Sequence, residues 1–367
     1  MSKFDPVFMA KNAWQMKVKR RPTILSHSVN AECNLRCVFC DEWKKKLSSD
    51  VISLESDSSE SNSSGVDSSG SASSDVPLED IFKVIDLARD FGILSYNAWS
   101  TEPLLRKDLP EIMKYAKSVG MKTFMITNGT LLKKRMNDLG DVDYISVSMD
   151  GPTATKEIRG TNYDKIMEGI RYAAESGQLN QPLLMNCVIS SKNLDEVVDL
   201  LHTAKELGVK MAIEPIYLFK RMNETCWDDL LIQEDQKEQF VDVMNQLIDL
   251  KKKGYPIINS KTYLKMVRDQ KPISNCKVNL SIMAIDHTEN MYNCRIHNKP
   301  LGNVLSESVF DENGNIKVNG ITEVWNKSKS ERMDKIHNCE GCQFFGYSEL
   351  TLMNNYNIES FYGYEWL

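Results

Sequence analysis

Three cysteines stand close together near the start of the chain, in the stretch "AECNLRCVFC" at residues 31–40. Cys33, Cys37 and Cys40 are separated by three and then two residues, and no histidine lies beside them. A zinc site takes four protein ligands, or three and a water, from cysteine and histidine. Three thiolates without a histidine instead suit a [4Fe-4S] cube, which keeps one iron open to bind a substrate or cofactor.

The composition of the chain indicates a cytoplasmic protein. No apolar stretch approaches the ~20 residues that span a bilayer, and the N-terminus lacks the pattern of a signal peptide. In a reducing compartment a cysteine cluster more often binds metal than forms disulfides, and nine cysteines is an odd number for pairing. The 45 basic and 51 acidic side chains give a formal charge of -6, which favours no nucleic-acid partner.

The spacing of apolar residues predicts an α/β fold. From Pro77 to about Tyr217, amphipathic helical segments alternate with short apolar runs, and together with "TILSHSV" they predict six strands. These strands begin near residues 23, 93, 122, 143, 183 and 210. Repeated β/α units imply parallel strands joined by crossover helices. Because six units are too few for the eight-stranded barrel, we expect a partial (β/α)6 TIM-type barrel.

Changes in composition predict the domain boundaries. Residues 1–22 form an N-terminal extension and residues 23–255 form the barrel, whose last helix covers Gln233–Gly254. A Ser- and Asp-rich insert at residues 48–76 offers too little apolar surface to fold, so we expect it to be disordered. Residues 256–367 form a small C-terminal α+β domain that contains four more cysteines.

The CxxxCxxC pattern, with Phe39 between the last two cysteines and a predicted strand before it, resembles the radical S-adenosylmethionine (SAM) superfamily. The resemblance implies that Cys33, Cys37 and Cys40 bind a [4Fe-4S] cluster and that Phe39 lies at the cofactor. It also implies that the open iron binds the amino and carboxylate groups of SAM. An electron from the cluster then cleaves SAM and yields a 5'-deoxyadenosyl radical.

Other segments are similar to the SAM-binding segments of that family. "AWSTEPLLRKDL" occupies the position of the family's GGEP segment, although serine and threonine replace its two glycines, and "TNGT" resembles the segment that lines the barrel mouth. "SVSMDGPTATKEIRG" resembles strand four, with a polar residue near the ribose and an arginine for the SAM carboxylate. The implied cofactor-binding positions are Ser100, Thr101, Glu102, Ser148, Arg159 and, on strand five, Asn186.

Four cysteines near the C-terminus form a second candidate metal site, which is either a structural zinc site or an iron-sulfur cluster with full protein ligation. The segments around them resemble the twitch form of the SPASM extension, with a hairpin turn near "IDHTEN". The resemblance implies one auxiliary [4Fe-4S] cluster for electron transfer. Its ligands would be Cys276, Cys294, Cys339 and Cys342, with His287, His297 and His337 in reserve.

Two cysteines remain outside both sets. Cys187 lies in an apolar strand, and we expect a buried, inert thiol there. Cys226 follows the last barrel strand and could reach the active site.

The sequence thus predicts a radical SAM enzyme that takes hydrogen from a small metabolite, cofactor precursor or lipid precursor. Only about 22 residues precede the first strand, too few for a leader-peptide-binding domain, although a peptide-modifying maturase remains the alternative. A non-enzymatic zinc-binding adaptor is the alternative from another class. A flavodoxin- or ferredoxin-type protein is the expected electron donor, and no motif identifies the substrate.

Overall fold

The computed structural model describes residues 5–40, 76–99, 101–179, 183–216, 228–296 and 299–363. Six strands alternate with helices over the first two thirds of the chain, at the positions that the apolar runs predict. These strands are β1 Ile24–His27, β2 Ser95–Ala98, β3 Lys122–Thr127, β4 Tyr144–Ser148, β5 Leu184–Ile189 and β6 Lys210–Pro215.

Helices connect and cover these strands. The first helix begins at the N-cap Asp5, whose carboxylate accepts hydrogen bonds from two backbone N–H groups, and continues as a π-helical segment at Trp14–Lys19. The α-helices are α1 Pro6–Ala13, α2 Leu78–Phe91, α3 Leu109–Ser118, α4 Leu132–Arg135, α5 Pro152–Arg159, α6 Tyr163–Glu175, α7 Val197–Glu206, α8 Lys237–Lys252, α9 Lys261–Arg268, α10 Gly320–Lys327, α11 Lys329–His337, α12 Phe345–Asn354 and α13 Ile358–Gly363. Within the described ranges, no helix could cross a membrane.

The six strands form a parallel sheet in the order β6-β5-β4-β3-β2-β1, which confirms the partial barrel. Side chains alternate between its two faces. Leu25, Tyr96 and Met125 point toward the helices and are fully buried, whereas Ser26 and Asn97 face the lumen of the barrel. Parallel pairing places the carboxyl ends of all six strands at one mouth, where barrel folds assemble their sites.

The C-terminal segment continues this sheet. Strand β7 (Ile282–Ile285) pairs in parallel with β1, and β8 (Asn290–Tyr292) and β9 (Pro300–Asn303) follow antiparallel. The turn between β7 and β8 falls at the "IDHTEN" segment. A separate two-stranded sheet joins β10 (Val309–Phe310) to β11 (Ile316–Val318). A domain boundary at residue 255 therefore stays a prediction, because one nine-stranded sheet includes strands from both sides of it.

The open side of the partial barrel is closed by later parts of the chain. Side chains at the start of α12, among them Phe345, line the lumen. The outer edge of β6 is covered by Asn259, whose amide exchanges two 2.8 Å hydrogen bonds with the backbone of Ile213. Covering an edge in this way protects it from pairing with another chain.

The predicted disordered insert lies outside the described residues, except for its last position. Val76 is buried, with 4% of its surface exposed, and it packs in the main hydrophobic core. Val76 therefore lies at the entry to α2, and the extent of the predicted insert stays a prediction.

Candidate functional site

The three clustered cysteines lie in the loop that follows β1. The backbone of this loop is fixed by a 2.8 Å hydrogen bond from Val38 N–H to the carbonyl of Ile158 at the end of α5. Cys37 is buried, and Cys33 and Cys40 are half-buried. The thiol of Cys33 accepts hydrogen bonds from Leu35 N–H at 3.4 Å and from the Asn128 side chain at 3.8 Å.

The thiols of this loop are not arranged around a single metal ion, since the described part of the chain holds no group of three or more His, Cys, Asp or Glu side chains with that arrangement. The assignment of Cys33, Cys37 and Cys40 as ligands of a [4Fe-4S] cluster therefore stays a prediction. Burial raises the pKa of Cys33 and of Cys37, and Arg159 opposes this rise at Cys37. A bound cluster would supply the positive charge that stabilises both thiolates.

Glu102 connects the loop after β2 to the end of β3. Its carboxylate accepts hydrogen bonds from Leu104 N–H at 3.0 Å, Thr127 Oγ1 at 2.7 Å and Asn128 N–H at 2.7 Å. Burial raises the pKa of Glu102 to about 7. Because Glu102 accepts three hydrogen bonds from the chain, it holds the "TNGT" segment in place. The predicted contact of Glu102 with SAM stays a prediction.

The neighbouring predicted residue Thr101 donates a 3.1 Å hydrogen bond to the carbonyl of Asn30 and also contacts its side chain. Thr101 thereby attaches the β2 loop to the segment between β1 and the cysteines. Ser100, the other residue that replaces a glycine, lies outside the described residues.

Arg159 forms a buried ion pair with Asp150. Its Nε and Nη2 donate to the two carboxylate oxygens at 2.6 and 3.0 Å, and its guanidinium lies 5.2 Å from the centre of the Phe39 ring. Only 6% of Arg159 is exposed, which excludes a surface role. Asp150 raises the pKa of Arg159 against the effect of burial. The predicted contact with the SAM carboxylate is untested, and Asp150 already occupies two of the N–H donors.

The predicted residues Phe39, Ser148, Arg159 and Asn186 line one cavity of about 240 Å³ in the barrel. The Nδ2 of Asn186 donates to Glu214 Oε1 at 2.8 Å, whereas its buried Oδ1 has no hydrogen-bond partner among the described residues. An acceptor of this kind at the barrel mouth fits a ligand hydroxyl, such as the ribose that the resemblance implies.

Glu214, near the end of β6, is a candidate site residue that the sequence reasoning did not identify. It lines the same cavity, and its second carboxylate oxygen accepts a 3.4 Å hydrogen bond from the first N–H of α12, at Phe345. Burial raises its pKa. The sequence feature that could have identified Glu214 is an acidic residue inside the apolar run "KMAIEPIY", near the carboxyl end of a predicted barrel strand.

Three of the four C-terminal cysteines belong to one small apolar cluster. Val278, Cys294 and Tyr347 form its centre, and Cys276 and Cys342 pack against it. Burial raises the pKa of Cys342 to about 12, and the other three thiols each add to this rise because a second thiolate nearby repels the first. The structure thus places Cys276, Cys294 and Cys342 in one cluster, with Cys339 close enough to affect the pKa of Cys342, and the role of all four as metal ligands stays a prediction.

Backbone groups near these thiols also favour thiolates. Val278 N–H donates to Cys276 Sγ and Gly341 N–H donates to Cys339 Sγ, each at 3.4 Å. Of the reserve histidines, His287 and His337 are described and His297 is not.

The remaining two cysteines differ in what the structure describes. Cys187 is fully buried on β5 beside Asn193, and burial raises the pKa of its thiol well above the usual value, as expected for an inert thiol. Cys226 lies outside the described residues.

Arg295 connects the C-terminal cysteine set to the barrel. It follows Cys294 directly, its guanidinium lies 3.8 Å from the centre of the Trp99 ring, and its Nη2 donates to Ser28 Oγ at 3.2 Å. Its backbone N–H donates to the hydroxyl of Tyr347 at 3.3 Å. Because Trp99 lines the barrel cavity, this contact ties the C-terminal cysteine site to the barrel mouth.

Comparison with known proteins identifies the domain around the first cysteine set. Residues 28–204 match the family model described as the Radical SAM superfamily. The chain carries a radical SAM domain, a class whose cofactors are a [4Fe-4S] cluster and SAM, as the cysteine motif indicates. No match establishes the twitch or SPASM extension.

Curated relatives share part of this domain. A protein of Sulfolobus acidocaldarius named "Probable GTP 3',8-cyclase" is 29% identical over 223 residues, which are 53% of this chain and 61% of the relative. A protein of Methanococcus aeolicus with the same name is 26% identical over 51% of this chain and 56% of the relative. The matches thus span less than two thirds of either relative.

Solved structures share the fold at low identity. The structure titled "Native anSMEcpe with bound AdoMet and Cp18Cys peptide" has a TM-score of 0.57 at 16% identity and covers 94% of this chain and 96% of that chain. Streptococcus suis SuiB bound to S-adenosylmethionine has a TM-score of 0.54 at 17% identity, over 76% and 62% of the two chains. These similarities support the fold alone.

Proposed function

We propose that this chain is a radical SAM enzyme that cleaves SAM reductively and removes a hydrogen atom from a small polar molecule. The position of Phe39 carries the proposal. This residue lies between Cys37 and Cys40, and its ring lines the barrel cavity together with Ser148 and Asn186. A cluster on these cysteines would therefore adjoin the cavity in which a substrate is enclosed.

Each site residue has a role that its contacts support. When bound together, the cluster and SAM supply reductive cleavage of the C5'–S bond, which gives methionine and a 5'-deoxyadenosyl radical. Cys33, Cys37 and Cys40 would hold three irons of the cluster, and the N–H donors near Cys33 would stabilise its thiolate. Asn186 Oδ1 accepts a hydrogen bond from a ribose hydroxyl. A substrate bound in this cavity would be shielded from much of the solvent, which limits side reactions of a radical.

Several residues fix the conformation of the loops at the barrel mouth. Glu102 fixes the "TNGT" segment, and Thr101 holds the β2 loop against Asn30. Ser148 adds a hydroxyl at the end of β4, and Arg159 places a positive charge beside Phe39. We infer that these residues orient SAM without taking part in bond cleavage, as expected where the cofactor carries the hard chemistry.

The second cysteine set would bind one auxiliary [4Fe-4S] cluster. Three of these thiols share one apolar cluster and the fourth, Cys339, raises the pKa of Cys342, which supports a common site for all four. A cube with four thiolates has no open iron, so its role would be electron transfer. Arg295 and Trp99 give a direct connection from this site to the barrel mouth. The external reductant would be a flavodoxin- or ferredoxin-type protein.

Two observations favour a small substrate over a peptide. Residues at the start of α12 line the cavity and so close the open side of the barrel. The similar proteins of Sulfolobus acidocaldarius and Methanococcus aeolicus are named for a reaction of the nucleotide GTP. Because the chain covers only part of those relatives, GTP is one candidate among polar small molecules.

Replacing one motif cysteine tests the proposal. The protein is reconstituted with iron and sulfide under anaerobic conditions, reduced with dithionite and assayed for 5'-deoxyadenosine formation from SAM. We expect about eight irons per wild-type chain, about four in Cys37→Ala, and product formation that falls to background in this variant.

Cys187→Ala is the matched control, because it removes a buried thiol outside both cysteine sets. This control should keep about eight irons and wild-type SAM cleavage. A wild-type protein that binds zinc without iron would contradict the proposal, as would equal SAM cleavage in the two variants.

A further inference from the structure

A second group of polar side chains lies deeper in the barrel than the mouth. Ser26 on β1 and Ser95 and Asn97 on β2 face the lumen, with 3%, 6% and 8% of their surfaces exposed. The hydroxyls of both serines and the Oδ1 of Asn97 have no hydrogen-bond partner anywhere in the described ranges. Ser26 and Asn97 are direct neighbours in the β1–β2 register, so their side chains share one patch of the wall.

Buried polar atoms in folded proteins nearly always have hydrogen-bond partners, because burial without one is unfavourable. The same positions could hold alanine, valine or leucine without changing the alternation of the strands. Polar side chains that point into an enclosed cavity therefore indicate a molecule that supplies the missing partners. Water can fill this role while the cavity is empty, and a polar ligand can replace it.

The adjacent wall of the lumen is aromatic. Phe124 on β3 and Tyr144 on β4 are paired in register, and both line the cavity. A flat apolar wall beside hydrogen-bonding side chains suits a ring that carries polar substituents along its edge.

We propose that Ser26, Ser95, Asn97, Phe124 and Tyr144 form a specificity pocket for a polar ring of the substrate, either a nucleobase or a sugar. This inference rests on the proposed function and names the substrate class for the same cavity. The serine and asparagine side chains can bond to the hydroxyl, amide or ring-nitrogen groups that such rings carry. An extended peptide has no polar ring that could contact most of these residues at once.

Thermal unfolding of the reconstituted protein, without added substrate, gives the first test. Ser26→Ala and Ser95→Ala remove hydroxyls without protein partners, so the unfolding midpoint should equal or exceed that of the wild type. Ser260→Ala is the matched control. This serine is equally buried, but its hydroxyl accepts a 3.0 Å hydrogen bond from Tyr263 N–H, and its loss should lower the midpoint by roughly 2 °C or more.

Substrate probes give the second test. GTP, glucosamine and an unstructured peptide are each added to the wild-type enzyme, and acceleration of 5'-deoxyadenosine formation is measured. GTP or glucosamine should accelerate the reaction, which distinguishes a nucleotide from a sugar. Ser26→Ala or Ser95→Ala should then raise the KM for that probe about tenfold, the effect of one lost hydrogen bond.

Two results would overturn the pocket. One is a fall in the unfolding midpoint of Ser26→Ala and Ser95→Ala as large as that of Ser260→Ala, which would show that the chain satisfies these hydroxyls. The other is acceleration by the peptide alone with a KM that neither variant changes. If no probe accelerates the reaction, the comparison of unfolding midpoints decides whether the pocket proposal stands. SAM cleavage by the wild-type protein tests the proposed function separately, so either idea can fail alone.

Discussion

Buried carboxylates hold together segments that are distant in the sequence. Glu102 accepts hydrogen bonds from Thr127 and Asn128, and Asp150 pairs with Arg159 nine residues later. Glu349 on α12 accepts a 2.6 Å hydrogen bond from Ser260 N–H, at the start of α9. Such groups stabilise the fold only while their donors stay in place, since a buried acceptor without a partner is costly.

Glu349 should make the stability of the protein depend on pH. Burial raises its pKa to about 7 in the folded protein, compared with about 4.3 for an exposed glutamate. The folded state therefore binds the proton more tightly. The stability that this proton contributes is fully present below about pH 4.3, and it is lost as the pH rises to about 7. The shift corresponds to about 4 kcal/mol at most.

Glu349→Gln tests this dependence, because glutamine keeps the acceptor for Ser260 and cannot ionise. Denaturant unfolding at several values between pH 5 and pH 7.5 should give a weaker loss of stability in the variant than in the wild type. Glu111→Gln, at an exposed position of α3, is the control and should keep the wild-type profile. Identical slopes in all three proteins would count against the assignment.

The CxxC turn before α12 is the element on which the second cysteine site depends. Gly341 lies between Cys339 and Cys342 with a φ of +92°, a conformation that L-residues with side chains rarely adopt. A Cβ at this position would collide with the carbonyl oxygen of Ile273, whose N–H bonds to the carbonyl of Cys342 at 2.8 Å. The turn can therefore approach that segment only with glycine.

We expect Gly341→Ala to displace the turn and release the auxiliary cluster. The iron content should fall from about eight to about four per chain, measured after anaerobic reconstitution. Gly120→Ala is the control, since Gly120 has a similar φ of +89° and a Cβ at that position would meet no described atom within 4 Å. Both variants carry backbone strain, but only the first carries the collision. Full iron content in Gly341→Ala would refute the role of this turn.

At the scale of the whole molecule, the C-terminal segment completes the barrel. β1 lies between β2 and β7 and pairs in parallel with both, so the strand that precedes the cysteine loop needs residues on either side of position 255. Side chains of α12 also line the lumen. The segments that carry the two cysteine sets are therefore attached to one nine-stranded sheet and to α12, which covers its lumen.

Truncation after residue 255 should consequently destabilise the barrel itself. Removing β7 would expose one edge of β1, and removing α12 would expose the lumen to water. Hydrogen exchange measured on the fragment should show reduced protection of the β1 amides compared with the full chain. Protection equal to that of the full chain would instead support an autonomous barrel domain.

The sequence by itself determined the local features of this protein. Apolar periodicity located all six barrel strands, because burial of alternate faces requires a regular pattern of residue types. The resemblance of the CxxxCxxC motif indicated the radical SAM domain, and its short thiol spacing suits a loop that wraps a cube. Phe39, Ser148 and Asn186 were found by resemblance, and they line the same cavity.

Only the tertiary structure decided how distant segments meet. The parallel pairing of β7 with β1, the closure of the lumen by α12 and the contact of Arg295 with Trp99 depend on long-range packing, which leaves no periodic trace in a single sequence. The same holds for Glu214, and for Asp150 as the partner of Arg159. Each depends on which side chains share a buried space, and that is fixed when the whole sheet closes.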